Sequence, residues 1–424
     1  MSETKVYKIG IMGCKRGGPF VGIFRTIKGV EVPAVCETDP ETVENIKKKY
    51  PDVKIYSDFD EFIDSGLDAV FLANYFNEHA KYAILAMKKG VHVLSETTAA
   101  PTLGECVDLV EAAEETGAKY MLAANMLYVP ALHAMKAEIE SGKYGKIFYA
   151  EGEYNHGPST GGAPAIVEIG ADGKVKSADS PAKRDVDLDN LHWRQTLPSC
   201  YYNMHSLGPL MYVTSSVPKK VIGIPMHQPE FTEKRGKISD CPGSMVITKM
   251  DNGAVYNTSG CNSFAPTGKW FRIGCENTTF ETGRYHLFEQ DLTIVSDPGT
   301  YKKQWQYFQS SGVVSPEEYD RAVVEGSGHG GTDYFICYKF VKYLRDEETP
   351  FLDVYNSAAL SATGILAWYS ILSDSKEYDV PDFRKKEDRD KVRGDYRSPF
   401  AEKLSDITLP CRLADKDKFT GLIR

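Results

Sequence analysis

Of the places where this chain sets a phenol close to an imidazole, two stand out. The first is Tyr201-Tyr202-Asn203-Met204-His205, which runs through Ser206-Leu207-Gly208-Pro209 into the apolar Leu210-Met211-Tyr212-Val213. On a helix, Tyr202 and His205 would share one face. The second is Tyr154-Asn155-His156, at the end of an expected strand over 146–156, where residues two apart point the same way. An imidazole takes or gives a proton near neutral pH, and a phenol donates or relays a hydrogen bond. Each pair also has an ordinary structural reading. Tyr202 and His205 could be a satisfied buried contact, and Tyr154 and His156 the polar outer face of a sheet. Residues 157–187 are rich in Gly, Ala, Ser, Pro and Asp, and loops of that length tend to be lids or inserts. They lead to Trp193 and Arg194. Trp193 could stack on a sugar ring and Arg194 could bind hydroxyls, with packing and a surface ion pair as the alternative.

The elements that must position these groups begin with Tyr7-Lys8-Ile9-Gly10-Ile11-Met12, a short apolar strand. The turn Gly13-Cys14-Lys15-Arg16-Gly17-Gly18 follows, then a helix from Phe20. Strand, glycine-rich turn and helix is the order that presents backbone amides to a pyrophosphate. Gly13 and Gly18 match the outer glycines of G-x-G-x-x-G, while Lys15 holds the middle place. The next strand, 32–36, ends at Glu37, at the spacing of a ribose-binding acid. A carboxylate there accepts from both ribose hydroxyls and repels a 2′-phosphate, favouring NAD over NADP. Strands at 69–73 and 91–94 flank a helix around 82–87, and Asn74, His79 and Glu96 lie nearby. Strands alternating with helices predict a doubly wound parallel sheet, with Gly13, Glu37, Asn74 and Glu96 converging beyond the strand C-termini. Lys15, Arg16, Gly18, His79 and Asn125 complete the expected cofactor-binding set.

With 424 residues the chain suggests two domains. No apolar run approaches the roughly 20 residues of a membrane helix. The start lacks a basic-then-apolar secretory pattern, so a soluble, cytoplasmic protein is expected. The net charge of −9 argues against nucleic acid as main partner. Nine cysteines without C-x-x-C spacing fit structural thiols, and no metal site is expected. Beyond Asn125 come a helix over 132–139, a hairpin across Asp251-Asn252-Gly253, and further strands at 269–274 and 278–282 extending a meander. Gly328-His329-Gly330-Gly331 precedes a helix with Ile336, Phe340, Val341 and Leu344 on its apolar face. Glycines around His329 suit close ligand approach, and a helix N-cap with Asp333 is the alternative. The mixed-sign run 384–390 reads as a solvated linker or face.

The pattern Asp68-Ala69-Val70, Ala73, His79, Ala83 and Gly90-Val91-His92-Val93-Leu94-Ser95-Glu96 resembles the Gfo/Idh/MocA oxidoreductase family. That resemblance implies an α/β plus α+β architecture. An N-terminal Rossmann doubly wound parallel sheet is followed by a C-terminal domain on an open, mainly antiparallel sheet that often mediates dimerisation. The corresponding boundaries are 1–124 for the NAD-binding domain, 125–383 for the substrate-binding domain, and 384–424 for a charged linker and tail. Typical members read Glu-Lys-Pro after the fourth strand, and their lysine assists alcohol oxidation. Thr97 stands there in this chain. The set Glu151-Gly152-x-Tyr154-x-His156, Trp193-Arg194, Tyr202-x-x-His205-x-x-Gly208-Pro209, Gly328-His329-Gly330-Gly331-x-Asp333 and Asp353-Val354-Tyr355 resembles the glycoside hydrolase family 109 branch.

That branch also lacks the lysine. The resemblance implies a glycosidase with tightly bound, recycled NAD. The sugar is oxidised at C3 and deprotonated at C2, loses its C1 substituent by elimination, takes up water at C1 and is re-reduced at C3. It implies His205 with Tyr202 at the C3 hydroxyl, Tyr154 with His156 at C2 or the leaving group, and Trp193, Arg194 and His329 against the sugar. A sugar 3-dehydrogenase releasing its ketone would use the same residues, and a non-catalytic NAD and sugar sensor is the third reading. The expected partner is a small sugar or glycoside, and the expected assembly a homodimer or homotetramer.

Overall fold

A computed structural model describes residues 5–156, 168–169, 175–176, 187–264, 267–284, 292–296, 304–305, 324 and 326–419. Most of the expected lid, 157–187, lies outside the described residues. Two compact units are present, and neither is continuous in sequence. The first takes in 1–140, 307–362 and 381–396, and the second 141–306, 363–380 and 397–424. The chain therefore crosses between units more often than the expected division at 124 and 383.

The first unit holds β1 (Tyr7–Met12), α1 (Cys14–Thr26), β2 (Val30–Glu31), β3 (Ala34–Cys36), α2 (Pro40–Lys49), β4 (Lys54–Tyr56) and α3 (Phe59–Ile63). It continues with β5 (Ala69–Leu72), α4 (His79–Lys88), β6 (His92–Ser95), α5 (Leu103–Thr116), β7 (Tyr120–Leu122) and α6 (Pro130–Glu140). The strands run parallel in the order β4-β3-β1-β5-β6-β7, with β2 also beside β1. The single strand expected over 32–36 is broken into β2 and β3 around Pro33, which has no N–H to give a ladder. Every residue of β5 is buried, as a parallel strand covered on both faces requires. Phe71 packs against Phe20 and Phe24 of α1 at ring separations of 4.6 and 6.4 Å. Side-chain caps start the helices: Asp39 accepts from the Thr42 amide at α2, and Thr102 from the Glu105 amide at α5.

Helix α1 begins at Cys14, six residues before the expected start. Gly17, Gly18 and Pro19 look like breakers in sequence, yet all three lie inside the helix. The turn is Gly13 alone, left-handed at φ +84°. The helix Thr332–Leu344 belongs to this unit and buries Ile336, Phe340, Val341 and Leu344. The run 384–390 is not a linker: Arg389 is buried and donates to Glu114 at 2.7 Å, and Arg384 pairs with Asp353 at 2.9 Å. Arg393 just beyond it makes a fork on Glu111.

The second unit carries β8 (Ile147–Asn155), a two-residue hairpin β9 (Glu168–Ile169) and β10 (Val175–Lys176), then α7 (Trp193–Thr196) and α8 (Leu207–Thr214). Its main sheet adds β11 (Pro218–Met226), β12 (Gly243–Met250), β13 (Val255–Ser259), β14 (Gly268–Cys275), β15 (Thr278–Thr282), β16 (Leu292–Ser296), β17 (Gln304–Trp305) and β18 (Tyr378–Asp379). The nine strands lie in the order β17-β16-β15-β14-β8-β13-β12-β11-β18. All pairs are antiparallel except β8 with β13. The expected meander is therefore interrupted: β13 and β14 are consecutive in sequence, but β8 lies between them. The hairpin at 251–253 forms as expected, with Gly253 at φ +86°. The Cβ that Gly223 lacks would run into the Ala367 carbonyl, so helix residues beyond Thr363 lie close on β11. Among the described residues no helix is long and apolar enough to cross a membrane, and no His/Cys/Asp/Glu group could hold a metal.

Candidate active site

In the first unit the C-terminal ends of β1, β3, β5 and β6 deliver Gly13, Glu37, Asn74 and Glu96. The Cys14 amide at the start of α1 donates to Glu37 Oε2 at 2.7 Å, and Glu37 Oε1 accepts from the amides of Thr38 and Asp39. Glu37 is thereby held at the mouth of the helix N-terminus, with lone pairs left for ribose hydroxyls. A Cβ on Gly13 would stand 2.5 Å from the Ala73 carbonyl oxygen and 2.6 Å from the Asn74 amide nitrogen. A Cβ on Gly17 would stand 2.6 Å from Ile11, whereas one on Gly18 would have 3.3 Å to Ile46. Gly17 rather than Gly18 thus gives the close helix–strand approach. Both amide atoms of the Asn74 side chain are buried without a hydrogen-bond partner among the described residues, which a ligand can satisfy. A glycine-walled cradle, a helix N-terminus, a placed carboxylate and an orphaned amide fit a dinucleotide.

The other expected cofactor residues are more occupied. Lys15 points to solvent and pairs with Asp39 at 3.4 Å. Arg16 donates to Glu96 at 2.7 Å and makes a two-pronged bond to Asp333 at 3.0 and 3.2 Å. His329 lies on the same carboxylate, its Nδ1 3.1 Å from both oxygens. His329, expected against substrate, therefore stands in the first unit beside the nucleotide turn. Burial works against the Asp333 carboxylate, but bonds from His329 and Arg16 and the Arg16 charge bring its pKa down to about 2. Replacing Arg16 with Met strands a carboxylate whose side chain is only 3% exposed. We expect a stability loss of about 2 kcal/mol in urea denaturation, below the fully buried-pair range because Arg16 is half-exposed. Recovery in Arg16→Met/Asp333→Leu should follow, and its failure would place the cost elsewhere. His79 Nδ1 lies 3.0 Å from the Thr98 carbonyl, and Asn125 is buried in a short 3-10 turn. Thr97 is buried and neutral.

In the second unit the two Tyr/His pairs form one cluster with Tyr154 at its centre. The Tyr154 ring lies 4.5 Å from His205, stacked at 25°, 5.7 Å from His156, and 6.2 Å from Tyr202. Tyr202 and His205 are 5.0 Å apart. They sit on a 3-10 stretch, Ser199–His205, ahead of α8 rather than in it. The stretch is kinked at Tyr202, whose φ of −102° and ψ of 22° are not helical. Gly152 lies on the same face of β8 as Tyr154, and a Cβ there would meet the Ser206 carbonyl. That absence of a side chain lets the 205–206 turn settle on the strand. Beyond Gly152 the strand leaves β13: the Tyr154 amide donates to Ser259 Oγ at 2.8 Å, and the His156 amide to the Asn262 carbonyl at 2.8 Å. Tyr154 and His205 are buried, while Tyr202 and His156 are partly open. Burial, then the charges of Arg194, Lys269 and Lys237, bring His156 down to about 4, so its ring is a neutral proton acceptor at neutral pH. Arg194 lies over Trp193 at 4.4 Å, and Lys269 over Tyr154 at 5.4 Å. Lys237, Lys269 and Asn262 were not singled out from sequence. They come from a loop and a strand whose neighbours are set only by the placement of β8.

Depressed histidine pKa values make a pH prediction. His133 in the first unit is also brought to about 4, by burial and then by Lys339 and Lys136. The unfolded chain protonates first as pH falls, so this stability is full above about 6.5 and is lost progressively down to about 4. Denaturant titrations at pH 7, 6 and 5 should show unfolding free energy falling, by at most roughly 1.4 kcal/mol per pH unit for each histidine. His133→Gln should flatten the slope, and an unchanged slope would refute the assignment.

Comparison with known proteins agrees with both units. Residues 7–124 match the oxidoreductase family NAD-binding Rossmann fold. Levoglucosan dehydrogenase, solved with NADH and levoglucosan, superposes with a TM-score of 0.69 at 17% identity, over 89% of this chain and 100% of that one. An oxidoreductase domain protein from Kribbella flavida gives 0.68 at 15% identity, with the same coverage. The fold is thus of the Gfo/Idh/MocA type: a nucleotide-binding parallel sheet joined to an open, mostly antiparallel one. Residues 243–389 match the glycosyl hydrolase 109 C-terminal domain. A glycosyl hydrolase family 109 protein of Solibacter usitatus is 24% identical, over 89% of this chain and 88% of its own length. An alpha-N-acetylgalactosaminidase of Shewanella oneidensis is also 24% identical, over 90% and 86%. The chain thus carries a stretch matching the oxidoreductase family Rossmann domain and another matching the glycosyl hydrolase 109 C-terminal domain, and is similar to proteins named for that family.

Proposed function

We propose that this chain cleaves glycosides by transient oxidation at C3, loss of the C2 proton, elimination at C1, addition of water and re-reduction. Gly13, Glu37 and Asn74 would hold NAD, which when bound would supply a hydride acceptor and, once reduced, a hydride donor. His205 takes the C3 hydroxyl proton while Tyr202 hydrogen-bonds the oxygen. Tyr154, between His205 and His156, removes the C2 proton or passes it to the leaving group, with the neutral His156 imidazole as its acceptor. Water then adds hydroxyl at C1 and a proton at C2. The sum is glycoside plus water giving sugar plus alcohol, without net oxidation. The observation that carries this reading is the Tyr154 ring packed on both imidazoles. A reaction with several proton transfers around one ring needs such a cluster, and Thr97 cannot substitute for it.

The test is turnover of an aryl glycoside in D₂O by protein with no added cofactor. Multiple turnovers, bound NAD and deuterium at C2 of the released sugar are expected. Stoichiometric reduction of the nucleotide with the glycosidic bond intact would replace this reading with a sugar 3-dehydrogenase. Cleavage without deuterium at C2 would rule out the elimination.

A further inference from the structure

Lys15 stands where the G-x-G-x-x-G pattern has its middle glycine, and a side chain there hinders close approach of the backbone to a pyrophosphate. Its side chain runs outward instead. It is 75% exposed, with Nζ 3.4 Å from Asp39 Oδ1. Asp39 divides its two oxygens between two tasks. Oδ2 accepts from the Thr42 amide at 3.0 Å and the Thr42 hydroxyl at 2.6 Å, which caps α2, while Oδ1 holds Lys15.

That ion pair joins the same two segments that grip Glu37. The Cys14 amide, one residue before Lys15, donates to Glu37 Oε2 at 2.7 Å, and the Asp39 amide donates to Oε1 at 2.9 Å. The pair therefore runs alongside the carboxylate placed to accept from the adenosine ribose. Arg16, the other cation of the turn, is bonded to Glu96 and Asp333 instead. A dinucleotide with a 2′-phosphate would set that group on the ribose beside Glu37. It would meet two carboxylates and one ammonium, and Asp39 already matches the ammonium. A lysine is a good point-charge ligand for phosphate when nothing else claims it.

We propose that Asp39 is a specificity-determining residue for the cofactor: by holding Lys15 it denies a 2′-phosphate the cation that would receive it, and so reserves the site for NAD. The inference rests on the reading of Glu37 as the ribose acid. Glu37 and Asp39 exclude the phosphate by separate means, the first by repulsion at the ribose and the second by occupying the ammonium. Loss of the Asp39 charge alone turns Lys15 into a phosphate ligand.

The test is calorimetric titration of the full-length, nucleotide-stripped protein with NAD and with NADP. The wild type should bind NAD at least tenfold tighter than NADP. Asp39→Asn removes the charge but keeps a capping oxygen for Thr42, and Asp39→Ser is a second capping variant should the first fail to fold. Either should tighten NADP about tenfold while changing NAD less than twofold. Adding Lys15→Met to Asp39→Asn should remove the gain. An unchanged NADP-to-NAD ratio in the Asp39 variants, a gain that survives the loss of Lys15, or a wild type that binds both nucleotides equally would overturn the assignment. The ribose-acid reading is scored separately by Glu37→Gln, which should weaken NAD. NAD affinity unmoved by that change would overturn the reading of Glu37 and this inference with it.

Discussion

His205→Ala should reduce turnover by about 10³-fold or more, within the range for loss of a positioned acid–base group. The nucleotide should remain bound, because Gly13, Glu37 and Asn74 all belong to the first unit and His205 to the second. Loss of the ring also removes packing against Tyr154. His205→Gln therefore serves as the control: it keeps much of the volume but not the proton chemistry, and should be as inactive as Ala. Two measurements decide the matter, namely single-turnover reduction of bound nucleotide and nucleotide content of the purified variant. Normal turnover in either variant would remove His205 from the chemistry.

Gly13→Ala should lower NAD affinity by roughly 100-fold, equivalent to about 2.7 kcal/mol. The residue sits at φ +84°, where a side chain is strained, and a methyl group would press on the Ala73 carbonyl and the Asn74 amide. The only relief is to move the start of α1 away from β5, which displaces the amides meant for the pyrophosphate and the Cys14–Glu37 bond together. Titration of nucleotide-stripped protein measures the loss. Gly18→Ala should be mild by comparison, since its methyl has 3.3 Å to the flexible end of Ile46. Equal effects at both positions would mean that the close approach has been assigned to the wrong glycine.

That contrast shows where sequence reading succeeds. The strands of the first unit are legible because parallel strands buried on both faces are continuous apolar runs, and Gly13 is legible because a strand leads straight into it. The helix start was not, because Gly17, Gly18 and Pro19 individually disfavour a helix. Packing against Ile11 decides otherwise. Tyr154-x-His156 and Tyr202-x-x-His205 are each visible as local pairs. Their merger is invisible, because it depends on β8 inserting between β13 and β14 and on Gly152 admitting the Ser206 turn. At His329 the structure bears on the alternative reading. Gly330 and Gly331 with positive φ shape the approach to a helix, and the imidazole rests on Asp333, a contact that the local sequence suggests only as a helix cap.

The discontinuous make-up of the nucleotide-binding unit bears on how the protein is made. Arg16 emerges from the ribosome more than 300 residues before its partner Asp333. Glu111 and Glu114 wait 282 and 275 residues for Arg393 and Arg389. A nascent chain carrying the whole parallel sheet still has a guanidinium at its phosphate turn matched by Glu96 alone, and uncovered carboxylates on α5. Such distant closures slow folding and favour completion after, rather than during, synthesis. The cradle that must capture its nucleotide is thus begun first and finished nearly last.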